Sequence, residues 1–248
     1  HRAVLLFPDS LYVHFQLART CSDEELDTKR AVAHLRWIIA NTDARAWLCR
    51  AQAQLARRLL RLKRYKETLD AAERSVAYIH TGRDTELLPA YVDARRSQCT
   101  ALLELGDLDR AAAALVDAAG AMPHDQRLQE EVADLYYTLA TAQENVNKSY
   151  ADKALLWLDR AGRESARPAR ILVKTAHLRL RLNQLDLAEQ DAVRALALEP
   201  DSPSVLTTLG YVYLTQHRHD AAVLLFRKAL DLDSSFVAAR EGLHTGAA

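Results

Sequence analysis

The stretch PSVLTTLGYVYLTQHRHDAAVLLFRKALDLDSSF, residues 203–236, divides into two amphipathic halves about a polar centre running from Gln216 to Asp220. In the first half, Leu206, Leu209, Gly210 and Tyr213 recur at the three- and four-residue spacing of one helical face. In the second, Ala222, Phe226 and Ala229 do the same. Small residues at Gly210 and Ala222 let two helices approach closely, while Tyr213 and Phe226 fill the space beside them. The stretch therefore reads as a helix-turn-helix unit that cannot bury its apolar face alone and must stack on neighbours.

Working outward, the same order recurs. Leu185-Asp186-Leu187-Ala188 matches His219-Asp220-Ala221-Ala222, and the run from Ala195 to Pro200 matches the run from Ala229 to Ser234, each 34 residues on. Gly106-Asp107-Leu108-Asp109-Arg110-Ala111 followed by Ala118 and Pro123 repeats it, as does Arg64-Tyr65-Lys66-Glu67 leading to Ala72. Units are expected to begin near Cys49, Val92, Gln126, Ala169 and Pro203, at intervals of 43, 34, 43 and 34 residues. Two units thus carry nine extra residues, one set from Thr81 to Pro89 between units and one from about Asn145 to Lys153 inside the fourth. Nine residues make about two and a half helical turns, so a longer helix accounts for them as well as a loop does.

The pattern of a large residue, Leu-Gly, an aromatic, Ala, an aromatic, Ala and Pro resembles the tetratricopeptide repeat. Leu206, Leu209-Gly210, Tyr213, Ala222, Phe226 and Ala229 carry the resemblance in the last unit, and Ala176, Ala188, Ala192, Ala195 and Pro200 in the one before. The units from 92 and 126 match more loosely, with Cys99 or Ala133 at the glycine position; the unit from 49 matches through Leu55-Ala56, Tyr65 and Ala72. The resemblance implies an all-α fold, a right-handed α-solenoid of stacked helix-turn-helix repeats spanning 1–248 as one domain. Before the repeats, 9–41 reads as a divergent helix pair, with Ser10 capping Leu11 to Thr20 and Ser22 with Glu25 forming a capping box for the helix that reaches Trp37-Ile38-Ile39. After them, 235–244 reads as a C-terminal capping helix.

Composition sets the outer bounds. With 49% hydrophobic and 27% charged residues the chain can bury a core, and 7 glycines and 6 prolines are too few for a fold of many tight turns, which excludes an all-β architecture. Lys+Arg and Asp+Glu are each 33, so the chain has no overall positive field to attract nucleic acid or an anionic membrane, and a nucleic-acid partner is disfavoured. No apolar run approaches the roughly 18 to 20 residues of a membrane span. Cys21, Cys49 and Cys99 form no C-x-x-C pair and are odd in number, which points to a reducing compartment such as the cytoplasm. The start at His1 and the apolar patch from Val4 to Phe7 suggest a removed targeting segment or a longer gene.

No catalytic signature and no cofactor motif is present, so the chain is not expected to be an enzyme. His217, His219 and Asp220 fall in a turn where polar residues belong, and no metal is expected there. Cys99 serves as volume in a helix contact, and Trp37, Trp47 and Trp157 as packing residues between helices. The basic run Arg57, Arg58, Arg61, Lys63 and Arg64 reads as a solvated face balanced by Glu67, Asp70 and Glu73, or else as a seat for an acidic peptide or phosphate.

By the family pattern, the first helix of each unit turns four positions inward. Here they are Arg50, Ala53, Arg57 and Leu60; Asp93, Arg96, Thr100 and Leu103; Arg127, Glu130, Asp134 and Tyr137; Arg170, Val173, His177 and Leu180; Ser204, Thr207, Tyr211 and Leu214. The Lys/Asn clamp of relatives that grip the acidic C-terminus of chaperones has Ala53, Arg57, Ser97 and Arg127 in its place, so that role is disfavoured. The expected function is a scaffold or adaptor within a multiprotein complex, holding a peptide or helix of a protein partner. Its candidate contacts are Arg57, Arg96, Tyr137, Arg170, His177, Arg181 and Tyr211. A sensor of a signalling peptide or small ligand, and an ancillary domain of a larger enzyme or export machine, are the alternatives.

Overall fold

The computed structural model describes residues 5–79 and 84–246. From Leu11 onward these hold thirteen α-helices, a single 3-10 turn at Thr85–Leu87 and no strand. The chain divides into two compact units, His1–Leu128 and Gln129–Ala248.

The first unit contains α1 (Leu11–Thr20), α2 (Glu25–Ala40), α3 (Arg45–Arg61), α4 (Tyr65–Ala77), α5 (Leu88–Glu104) and α6 (Leu108–Ala121). Consecutive helices pack pairwise, and α3 also meets α5 directly. Leu35, Ile38 and Leu59 are enclosed among Ala31, Ala51, Ala53, Ala56, Ala71, Ala72 and Ala94. So many alanines keep the backbones close, and each enclosed Leu or Ile contributes about 1.5–3 kcal/mol of apolar transfer. Trp37 stacks on the ring of His14 at 3.8 Å, and Phe15 meets the edge of Trp47 at 5.6 Å.

The second unit holds most of α7 (Gln126–Thr141), then α8 (Lys148–Glu164), α9 (Pro168–Arg181), α10 (Leu185–Leu198), α11 (Pro203–Thr215), α12 (His219–Leu232) and α13 (Val237–Gly246). Helices α9 and α11 pack directly, as do α11 and α13, so first helices line up beside one another. Phe226 is completely enclosed. A Cβ on Gly210 would come within 2.6 Å of its ring and one on Gly242 within 2.5 Å, so the ring is gripped between two bare backbones.

Four units share one turn. Lys63, Gly106, Asn183 and His217 have φ of 56°, 82°, 60° and 60°. Each sits just past a first helix, with its own N–H bonded three residues back and the next N–H bonded five residues back, as in Lys63 to Leu60 and Arg64 to Leu59. This is the left-handed helix stop that closes orphan carbonyls. The unit beginning at Gln126 lacks it: α7 ends at Thr141, six residues follow, and Asn147 N–H returns to the Ala140 carbonyl.

Several boundaries differ from the sequence reading. The first helices expected near Cys49 and Val92 begin at Arg45 and Leu88, one turn earlier, giving 17-residue helices where α9 has 14. Asp84, bonded by Arg45 at 2.7 Å, and the buried Leu87 anchor the added turn. Of the first expansion, Thr81 to Arg83 lie outside the described residues, while Leu88 and Pro89 belong to α5. The second divides between the loop 142–147 and a lengthened α8. Ser10 caps α1, accepting from Val13 N–H at 3.4 Å. The Ser22–Glu25 capping box does not form, because α2 starts two residues later than a Ser22 cap requires, at Glu25 behind Glu24. Ser22 Oγ instead donates to Asp27 at 2.7 Å and accepts from Glu24 N–H. Of the apolar patch, Val4 is outside the described residues, and Leu5, Leu6 and Phe7 are exposed.

Candidate functional site

In the first unit, α1, α3 and α5 with its preceding 3-10 turn enclose a cavity of about 680 Å³. Its walls include Arg50, Ala53 and Arg57 of α3 and Asp93 of α5, all inward positions by the repeat pattern. Ala53 leaves the space open between the two arginines. Around it stand five arginines, 19, 50, 57, 58 and 61, against Asp23, Glu86 and Asp93.

The five arginines do different work. The buried Arg58 guanidinium donates to the carbonyls of Ala18 at 2.9 Å, Cys21 at 3.1 Å, Ser22 at 3.3 Å and Arg19 at 3.4 Å, closing the end of α1. Its desolvation pushes its pKa down from the usual guanidinium value. Arg61 pairs with Asp23. Among the described residues, the guanidinium groups of Arg19, Arg50 and Arg57 make no hydrogen bond or ion pair, and Arg57 is exposed. Burial raises the Asp93 pKa, opposed by the charges of Arg57 and Arg96, and its carboxylate accepts from Gln54 at 3.5 Å. Of the balancing charges named from the sequence, Glu67 holds Arg64 of the run together with Arg36, while Glu73 meets Arg110 at 3.7 Å.

In the second unit, α7 and α9 join in a ladder. Arg170 donates to Glu130 at 2.9 Å, Lys174 pairs with Asp134, the Tyr137 hydroxyl and His177 Nδ1 lie 2.7 Å apart, and Arg181 donates to the Thr141 carbonyl at 3.0 Å. Every rung spans 40 residues of sequence. Burial raises the Tyr137 pKa and lowers that of His177, the latter helped by Arg181, so both rings are neutral near pH 7. Arg181 continues to the carbonyls of Gln143 and Glu144, both at 2.7 Å. It thereby closes the α7 end that lacks the left-handed stop. Tyr211 donates to the Ala238 carbonyl at 2.8 Å and meets the Phe226 edge at 5.2 Å, tying α13 down.

Of the residues singled out from the sequence, Arg57 and Arg96 lie in the first unit. Tyr137, Arg170, His177 and Arg181 are brought together by the ladder, while Tyr211 is engaged with α12 and α13. Arg19 was missed because α1 lies outside the repeat. The role of Arg58 had a signal: it follows Leu55 by three residues and so falls on the apolar stripe of α3. Among the described residues no group of three or more His, Cys, Asp or Glu side chains is placed to hold a metal, and no helix is long and apolar enough to cross a membrane. Cys49 and Cys99 are buried thiols, with Cys49 held by Ser75. Trp157 is buried beneath Arg160.

The tetratricopeptide repeat model matches residues 203–236, the stretch that holds α11, α12 and the turn before α13. No curated protein sequence matches the chain significantly. Solved structures do. TTC0263, a thermophilic TPR protein of Thermus thermophilus, is 24% identical with a TM-score of 0.50, covering 80% of this chain and 98% of its own. The C-terminal part of a TPR repeat-containing protein from Cytophaga hutchinsonii is 10% identical with a TM-score of 0.66, covering 91% and 80%. YrrB, described as a TPR protein with an unusual peptide-binding site, is 13% identical with a TM-score of 0.56, covering 77% and 89%. One tetratricopeptide repeat is matched at 203–236, and over most of its length the chain shares the fold of these repeat-protein structures.

Proposed function

We propose that the chain is a non-enzymatic interaction scaffold or adaptor that holds a peptide segment or helix of a partner protein against the first helices of its repeats. The observation that carries this reading is the cavity of about 680 Å³ walled by Arg50, Ala53, Arg57 and Asp93. These are the positions that the family resemblance assigns to partner contact, and the volume falls within the roughly 300–1,000 Å³ of ligand sites. A peptide-binding site in a similar fold, that of YrrB, adds support for the class of work. Arg57 and Arg96 in the first unit and Arg170, Tyr137 and His177 in the second are the proposed contact residues, with Arg181 and Tyr211 acting as positioning residues.

Affinity capture from lysate of the source cell, followed by cross-linking mass spectrometry, tests the reading. Expected are partner cross-links to the first helices, and loss of the partner in an Arg57→Ala/Arg96→Ala/Arg170→Ala variant whose helicity is unchanged by circular dichroism. Cross-links confined to second helices, or capture unaffected by the variant, would count against it.

A further inference from the structure

The two units treat their inward charges in opposite ways. In the second, the α7–α9 ladder satisfies the inward Arg170, Tyr137 and His177 within the protein. In the first, Arg50 and Arg57 on α3 face Asp93 across the cavity without pairing to it, and Arg19 on α1 stands at the same cavity, also unpaired. Arg58 and Arg61 are already committed, to four carbonyls and to Asp23. Three guanidinium groups with uncommitted donors thus surround one open space.

We propose that this cavity binds an extended acidic peptide segment bearing two carboxylates three residues apart, held by Arg50 and Arg57 with Arg19 facing them from α1. This deepens the interaction function proposed above and rests on it. Spacing supplies the register: seven helical residues separate Arg50 from Arg57, about 10.5 Å along α3. Three residues of chain in the polyproline-II form span about 9 Å and return their side chains to one face. Ala53 lies between the two arginines and Ala90 opposite, so main chain can descend between the charges. Phe15 offers the apolar wall. Carboxylate forks are the natural complement of guanidinium donors.

The opposite wall selects the class of partner. Glu86 and Asp93 of the α5 side can accept N–H groups from a peptide backbone, which a nucleic acid lacks, and they repel a continuous row of phosphates. A formal net charge of zero over the whole chain gives a nucleic acid no long-range pull either.

Fluorescence anisotropy on the full chain, with a short fluorescein-labelled peptide carrying two glutamates three positions apart in a serine–alanine background, tests the proposal. Saturable binding is expected. It should weaken on the order of tenfold in Arg50→Ala/Arg57→Ala and again when both peptide glutamates are glutamine. It should be unchanged in Arg163→Ala, which breaks only an exposed pair with Asp159. Because the glutamine peptide needs no protein variant, a folding defect in the double variant leaves the test intact, and Arg57→Ala alone alters only an exposed side chain. The proposal is overturned by absent binding, by equal binding of the glutamine peptide, by insensitivity to both arginine substitutions, or by equal affinity for a single-stranded oligonucleotide. If it fails while captured partners still cross-link to first helices, the scaffold function stands and only this occupant is wrong.

Discussion

His14 Nδ1 and His34 Nδ1 lie 3.0 Å apart, so one ring must donate and the other accept. His14 Nε2–H donates to the Pro8 carbonyl at 3.0 Å, which makes its Nδ1 the acceptor and His34 Nδ1–H the donor. A second proton on His14 would set two N–H groups against each other, whereas His34 keeps its Nδ1–H donor in either state, so this fastening between α1 and α2 requires a neutral His14.

Acid should therefore loosen the first unit. Burial, then the neighbouring His14, lower the His34 pKa below its ordinary 6.5. In the unfolded chain His34 takes up its proton first, so the unfolded state binds more protons below about pH 6.5. The stabilising contribution is complete above that pH and is lost as pH falls toward the folded value. His177 shifts in the same direction, through burial first and Arg181 second, and adds to the slope. Thermal melts between about pH 7.5 and 5 should show a falling midpoint, flattened in His34→Asn. A midpoint that rises on acidification would contradict the arrangement.

Arg58 and Arg57 are chain neighbours with opposite expectations. Arg58→Ala removes the donors that close α1 and leaves partly enclosed carbonyls at Ala18 and Cys21, at a cost of about 2–4 kcal/mol. Arg57→Ala, on an exposed side chain, should change stability by less than about 0.5 kcal/mol. Urea unfolding of the two variants distinguishes them, and equal losses would refute the capping role.

Arg181 stands in for a missing turn. Because it donates to Thr141, Gln143 and Glu144, Arg181→Ala should destabilise by about 1–2 kcal/mol and speed amide exchange through residues 141–147. Arg163→Ala, which breaks only an exposed pair with Asp159, should cost less than about 0.5 kcal/mol. Unchanged exchange in the loop would show that Arg181 is not what holds it.

Gly242→Ala and Gly120→Ala should move stability in opposite senses. At Gly242 the new methyl meets the enclosed Phe226 ring at 2.5 Å, and overpacking there costs about 1–3 kcal/mol. At Gly120, inside α6, a Cβ meets nothing within 4 Å, so alanine should stabilise by about 0.5–1 kcal/mol. Calorimetric midpoints of the two variants check the pair; a neutral Gly242→Ala would mean the ring is not confined.

The repeat unit was legible in residues 203–236 because a helix pair is a local object. Its periodic apolar positions, its small residues at the crossing and its polar turn all lie within a few turns of one another, and Phe226, Gly210 and Ala222 pack as their spacing requires. Helix starts at Arg45 and Leu88 were not legible, since the turn added to each repeat is anchored outside it, by Arg45 on Asp84 and by the buried Leu87. Ser22 carried a capping pattern, yet Asp27 took its hydroxyl.

By itself, then, the sequence determined an all-helical stack of repeats and the residue types on each face, both consequences of periodicity within single helices. The tertiary structure alone decided which of those charges remain available. Arg58 and Arg181 engage carbonyls 36 to 40 residues away, Arg170 engages a carboxylate 40 residues away, and Arg50 and Arg57 are left uncommitted. A guanidinium's partner is set by which helix packs against its own, and no spacing along one chain segment encodes that distance.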